Sequence, residues 1–218
     1  MKYLALTIAL IALTATTSHA ADYRLPFEER WFVMAGGDTI NVNHHMVERS
    51  QWFGLDFMKT GGPGNRSVAK NDGQALEDFY SWGAAVVSPV AGVVRVVHDG
   101  EADHPIGGRD KKNAFGNYVV IEAGPKEFVY LAHFQKGSIA VQEGDQIKAG
   151  KVLGKCGNSG NTSGPHIHMH VQDQLHPYTG VGQNVSFQGI VVLLSGKQFD
   201  NVEWPLIQGL FVWQGGEE

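Results

Sequence analysis

The sequence is nearly without cysteine: Cys156 is the single one among 218 residues. An intramolecular disulfide is thereby excluded, and stability has to come from burial rather than from covalent staples. Cys156 ends Val152-Leu153-Gly154-Lys155-Cys156, which reads as a strand end, where a small buried residue is expected rather than a nucleophile. A basic surplus is also missing. The 17 Lys and Arg face 22 Asp and Glu, for a net charge of −5, which argues against a nucleic-acid partner because phosphate backbones select basic patches. Long apolar runs are absent beyond the N-terminus. The run from Leu4 to Leu13 is shorter than the roughly 20 residues a membrane span needs. Lys2 before it and Ser18-His19-Ala20 after it give the pattern of a cleavable secretory leader over residues 1–20. No cysteine lies near that point to carry a lipid, so the expectation is an exported chain, periplasmic or secreted, with no stable membrane anchor after cleavage. Residues 21–218 are then expected to form one domain, with residues 173–218 as an extension completing the fold.

Long helical patterns are lacking too, while glycine is abundant at 28 residues. That combination predicts a mostly β fold with many tight turns. Strands are expected at Trp31–Ala35, Ala84–Val87, Gly92–His98, Asn117–Glu122, Glu127–His133, Val152–Cys156, His166–Gln172 and Gly189–Leu194, from their β-branched and aromatic content. Asn71–Trp82 is expected to be short helix or irregular. Two loops stand out: the polar Asp99–Ala114, and Gly157-Asn158-Ser159-Gly160-Asn161-Thr162-Ser163-Gly164, whose glycines permit positive φ or close approach to a ligand.

The second loop leads into Pro165-His166-Ile167-His168-Met169-His170-Val171. On a strand the three imidazoles share one face and the apolar residues the other. Neutral imidazole ligates zinc and several other transition metals, and adjacent same-face residues lie about 6.5–7 Å apart, so two can converge on one ion. Spacing alone does not say which two. A catalytic zinc needs about three protein ligands and an open position, so one strand is not enough. Candidates elsewhere are His44, His45, Asp56 and His133. Asp56, between Leu55 and Phe57, points away from two apolar neighbours if it lies on a strand.

Gly116-Asn117-Tyr118-Val119-Val120-Ile121-Glu122, Tyr130-Leu131-Ala132-His133, Gly157-Asn158-Ser159-Gly160 and Gly164-Pro165-His166-Ile167-His168 resemble, in order and spacing, the lysostaphin-type (LytM-like) zinc endopeptidases. So do Ser88–Val94 and Val141–Gly154. The resemblance covers roughly residues 31–172. It implies an antiparallel barrel-sandwich hybrid (duplicated hybrid motif) with little helix. It also implies one Zn2+ per chain held by His45, Asp56 and His168, with His133 and His166 as catalytic histidines that bind no metal. The family's commoner pattern puts its first ligand four residues before the aspartate, where this chain has Trp52. Asn43-His44-His45 and Gln51–Asp56 resemble the variant with an Asn-x-His element, which favours His45 and keeps His44 in reserve. His170 is expected to support a ligand from behind or to line the groove rather than to bind metal, and His98, His104 and His176 to face solvent.

The resemblance further implies an exported zinc endopeptidase that cleaves peptide bonds, with peptidoglycan cross-links the leading substrate, by zinc-activated water assisted by two histidines. A His-Glu-x-x-His helix is absent, which excludes that other metalloprotease class. A non-catalytic wall-binding or regulatory module of the same fold is the alternative. A biotinyl or lipoyl carrier, which Ser88–Val94 and Glu143–Gly154 also resemble, lacks its lysine hairpin here.

Overall fold

The structure, a computed structural model, describes residues 21–62 and 65–215; the expected leader lies outside the described residues. Its strands are β1 (Trp31–Ala35), β2 (Leu55–Lys59), β3 (Ala85–Val87), β4 (Gly92–His98), β5 (Asn117–Gly124), β6 (Glu127–Phe134), β7 (Gln146–Ile147), β8 (Val152–Lys155), β9 (Ile167–Gln172), β10 (Gly182–Gln183), β11 (Phe187–Leu194), β12 (Lys197–Trp204) and β13 (Phe211–Gln214). Helix is confined to three 3-10 turns, His44–Val47, Arg49–Gln51 and Leu76–Asp78. The last is all the helix found in the expected helical or irregular stretch. None of the described helices is long and apolar enough to cross a membrane.

One large antiparallel sheet runs β12-β11-β13-β1-β2-β9-β6-β5-β4-β7, with β10 also on β9 and with β3 and β8 forming a separate pair. The sheet stays open, ending at β12 and β7. Alternation sorts its two faces. Val33, Leu55, Phe57, Val129, Leu131, Ile167, Met169 and Val171 turn into one core cluster. Phe57 is fully buried with Phe27 edge-on at 5.1 Å, and its truncation to alanine would cost about 3–5 kcal/mol. Cys156 belongs to the same cluster, and burial pushes its thiol well above the usual range, which makes it an inert packing residue. The opposite face carries Asp56 on β2, His168 and His170 on β9, and a smaller cluster of Phe115, Val120, Tyr130 and Ala132.

Residues 173–215 add β11, β12 and β13 to the sheet through β13 against β1. Among the strand ends that differ from the sequence reading, two bear on the site. β9 starts at Ile167, leaving His166 on the incoming loop. β6 runs on to Phe134, and His133 falls in a bulge: Asn117 pairs with Phe134 and Tyr118 with Ala132, so His133 has no partner across the ladder. Its φ is 70°, a left-handed conformation that costs a non-glycine residue about 1–2 kcal/mol. The bulge re-aims the imidazole, a common use of such defects, while Phe134 enters the core.

Candidate metal centre and active-site cleft

Asp56 is the hub of the site. With Leu55 and Phe57 committed to the core, its carboxylate leaves through the other face, where it is 2% exposed. A buried carboxylate costs several kcal/mol unless it is compensated, and here four imidazoles surround it. His45 Nε2 is 3.0 Å and His44 Nε2 3.6 Å from Asp56 Oδ2; His168 Nδ1 is 3.1 Å and His166 Nε2 3.6 Å from Oδ1. Burial alone would raise the Asp56 carboxyl. The charges of His45 and His166, with hydrogen bonds from His166 and His168, outweigh it and hold the group well below the usual carboxylate range.

Each histidine is delivered by a different local device. His168 comes by register: β2 and β9 pair Asp56 directly with His168, which brings Cβ atoms to about 5 Å. His45 comes through a cap. Buried Asn43 accepts from the His45 backbone N–H at 3.2 Å and donates to the Gly37 and Gly54 carbonyls at 2.8 and 3.0 Å. Gly54 allows the imidazole close: a Cβ there would sit 3.0 Å from His45 Cγ. His45 is nearly buried, whereas the His44 side chain is 68% exposed.

His133 and His166 face each other with ring centroids 4.7 Å apart. His133 Nδ1 lies 2.8 Å from the Ser159 carbonyl, so Nδ1 carries the proton and Nε2 the lone pair. Burial, then the charges of His166 and His168, push its pKa well below 6.5 and keep it neutral. His166 Nδ1 lies 2.9 Å from the Gly164 carbonyl and 3.0 Å from Thr162 Oγ1, which leaves its Nε2 toward Asp56. Burial opposes charging of His166, but the Asp56 carboxylate more than offsets it, and the pKa is raised. The glycine loop is itself braced by the Asp99–Ala114 loop. Asn158 Nδ2 donates to the His104 carbonyl, and backbone bonds join Gly107 to Ser163, Asp110 to Gly160 and Asn161 to Ala114. The long polar loop is a brace for the histidine segment.

His45, Asp56, His133, His166 and His168 thus meet in one cleft of about 300 Å³. The donor set fits a borderline-soft ion that takes nitrogen and oxygen ligands. His45 Nε2 is buried without a hydrogen-bond partner among the described residues: it lies close to Asp56 but is not aligned with it, the arrangement of two donors turned to a shared third centre. His44, His45 and Asp56 place one ligand atom each within 4.8 Å of the others, a group that leaves out the expected ligand His168, so distance alone does not choose between the two imidazoles. Burial separates them. His170 is also buried and stacks on Tyr130 at 4.5 Å. Of the three histidines expected to face solvent, His176 is exposed, and His98 and His104 are half-buried. Residues not anticipated from the sequence are Asn43, Ser159 and Thr162, which orient histidines. The signal available was the position of Asn43 just before a histidine pair and of the other two within the glycine loop.

Comparison with known proteins puts these residues in context. The chain is 31% identical over 84 residues to the peptidoglycan DD-endopeptidase ShyA of Vibrio cholerae, an alignment that covers 38% of this chain and 19% of ShyA; the chain spans about a fifth of that relative's length. Among solved structures, the catalytic domain of the prophage-encoded M23 protein EnpA of Enterococcus faecalis aligns at 16% identity and TM-score 0.47, over 74% of this chain and 94% of that one. A zinc-containing peptidase from Vibrio cholerae aligns at 23% identity and TM-score 0.41, over 75% and 39%. The model of Peptidase family M23 matches residues 71–180, half of the chain, taking in the brace, the glycine loop and the histidine strand; the protein belongs to that family.

Proposed function

We propose that this chain is a zinc-dependent endopeptidase that hydrolyses peptide cross-links of peptidoglycan. One observation carries the reading: a buried aspartate contacted by His45 and His168 at 3.0 and 3.1 Å, with a second histidine pair, His133 and His166, at its side. In this reading His45, Asp56 and His168 hold one Zn2+, and His133 and His166 do not touch it. A bound zinc ion would supply Lewis-acid chemistry, polarising a carbonyl and lowering the pKa of water to about 7.

The chain's own groups do the rest. His133 Nε2, left as an acceptor by the Nδ1 bond to Ser159, takes up a proton from the attacking water. His166, fixed by Gly164 and Thr162, steadies charge on the carbonyl oxygen through its Nε2–H and passes a proton to the leaving amine. Thr162 keeps that ring from rotating, and burial of both rings excludes competing water.

The peptidoglycan substrate is supported by the likeness to ShyA over residues held in common. Export to the periplasm or beyond, with removal of residues 1–20 as a leader, belongs to the same reading, because that polymer lies outside the cytoplasm. So does treatment of residues 21–218 as a single peptidase domain. The test is incubation of the zinc-loaded protein with purified peptidoglycan and defined cross-linked muropeptides, with and without chelator. Cleavage abolished by chelator and restored by zinc is expected. A stable protein that binds the polymer but cuts none of these substrates would instead be a wall-binding module.

A further inference from the structure

A second cavity, of about 560 Å³, opens where β1, β2 and β13 end, with Arg30, Lys59, Thr60, Tyr80 and Trp213 in its wall. Continuing the two-residue alternation of β2 past Asp56 and Met58 puts Thr60 on the Asp56 side, about 13 Å along the strand. That span matches about four extended residues.

The wall is organised around uncompensated positive charge. Arg30 Cζ lies 4.9 Å from the Phe211 ring centre and 5.3 Å from that of Trp213, and Arg66 Cζ lies 5.4 Å from the same Phe211 ring. Two guanidinium groups therefore share one aromatic platform. Among the described residues no carboxylate lies within 4.0 Å of either, whereas Lys59 holds Glu29 at 2.5 Å. In the wall itself Arg30 and Lys59 face one carboxylate, Glu29, with Arg66 nearby on the Phe211 ring, on a chain whose net charge is −5. Like charges so placed repel unless an anion lies between them; burial, and then the Arg66 charge, lower the Arg30 pKa. Two polar atoms of the wall, Arg30 Nε and Thr60 Oγ1, are buried without hydrogen-bond partners among the described residues, an arrangement that native proteins seldom leave unfilled. A guanidinium and a hydroxyl together suit a carboxylate, which accepts both bonds, while Trp213 and Tyr80 add aromatic surface to the same wall.

We infer that this cavity is an accessory substrate site that takes a free carboxylate of a wall peptide through Arg30 and Thr60, with Arg66 beside the wall on the Phe211 ring that it shares with Arg30, while the bond to be cut lies at the histidine cleft. The inference rests on the peptidase reading for its choice of polymer and on the cavity for its chemistry. Engagement of a carboxylate about four residues from the reacting bond would anchor an extended peptide along the face between Thr60 and Asp56, favouring substrates that retain that acid group.

The test uses the full chain and an uncross-linked muramyl tetrapeptide with its carboxylates free, compared by calorimetry with the same peptide fully amidated, all in excess chelator so that a metal cannot bind the acid. The free acid is expected to bind about tenfold or more tightly than the amide. Arg66→Gln, at an exposed position, should remove most of that difference and Arg66→Lys should retain it. Parallel assays of peptidoglycan hydrolysis without chelator keep the two readings apart. Carboxylate-selective binding by a protein that cuts nothing would sink the peptidase reading and uphold the site. Equal binding of acid and amide, or selectivity indifferent to Arg66→Gln, would overturn the site even in an active hydrolase.

Discussion

His168 Nε2 lies 2.8 Å from His170 Nδ1, while His168 Nδ1 points to Asp56. As the site stands, His168 Nδ1 donates to the ionised Asp56 and Nε2 accepts from His170; with Nδ1 given to a metal, as proposed above, the proton would sit on Nε2 and His170 would be its acceptor, a role that carboxylates and carbonyls usually fill. His170 is in turn pinned by stacking on Tyr130 and Phe115.

From this contact, His170→Leu should weaken zinc affinity by about 10–100-fold, the usual cost of losing such a partner, with the fold retained. His170→Asn, which preserves an acceptor, should recover part of the loss. Competition with a chromophoric chelator measures both. Unchanged affinity in the leucine variant would mean that the contact orients nothing.

The division of roles among the histidines gives a second expectation, read as zinc per chain by elemental analysis. His168→Ala and His45→Ala should lose the metal. His166→Ala should keep it while hydrolysis falls by about 10²–10⁴-fold, the range for removal of a general acid or base. His44→Ala, at a side chain 68% exposed, should stay loaded. Should His44→Ala empty the site and His45→Ala leave it filled, the assignment of the first ligand reverses.

Acid should destabilise the metal-free protein in a defined window. Burial, followed by the charge of His45, depresses His168 to about 4, and His133 and His170 are depressed in the same direction. Unfolded histidine titrates near 6.5. Between about 6.5 and 4 the unfolded chain therefore binds more protons than the folded one, and stability falls with pH by up to about 1.4 kcal/mol per unit for each such group. Asp56, depressed below the unfolded carboxylate value, adds a contribution that is present above about 3.9 and lost at lower pH. His166 has the opposite sign: its raised pKa stabilises below 6.5, and that contribution fades as pH rises through it. His44 is lowered as well, chiefly by burial, so four histidines against one set the net direction. Urea midpoints of chelator-treated protein at pH 7, 6, 5 and 4 should decline steadily; a flat series would contradict this account.

Gly116 and Gly160 hold the glycine loop against the brace, with φ of 58° and 86°; a Cβ on either would fall 2.4–2.5 Å from backbone of the facing segment. Gly160→Ala should cost at least about 2 kcal/mol and lower hydrolysis through displacement of His133, whose Nδ1 partner is the neighbouring Ser159 carbonyl. Thermal unfolding together with activity would show both losses; an alanine variant with native stability would refute the close approach.

Much of the sheet was legible because its strands are rich in valine and isoleucine and bounded by glycine. Gly92–His98 and Trp31–Ala35 coincide with the expected ends. Lys197–Trp204 escaped notice because an edge strand has few buried positions and mixes charges with aromatics, so neither alternation nor an apolar run marks it. At the site, the alternation of β9 predicted one shared histidine face, and the flanking leucine and phenylalanine predicted an outward Asp56. The pairing of Asp56 with His168, the bulge at His133 and the Asn43 cap depend on contacts remote in sequence, which local pattern does not encode. The brace role of Asp99–Ala114 was hidden for the same reason: most of its anchors on the glycine loop are backbone groups.

Asp56 and His168 stand 112 positions apart in the chain yet touch, and β9 is the last element to reach the cleft. A nascent chain halted anywhere before residue 168 therefore has no complete set of donors, however well its earlier strands have paired. Assembly of the proposed metal centre is thereby postponed to a late stage of synthesis, and a fragment that stops before residue 168 lacks one of its donors.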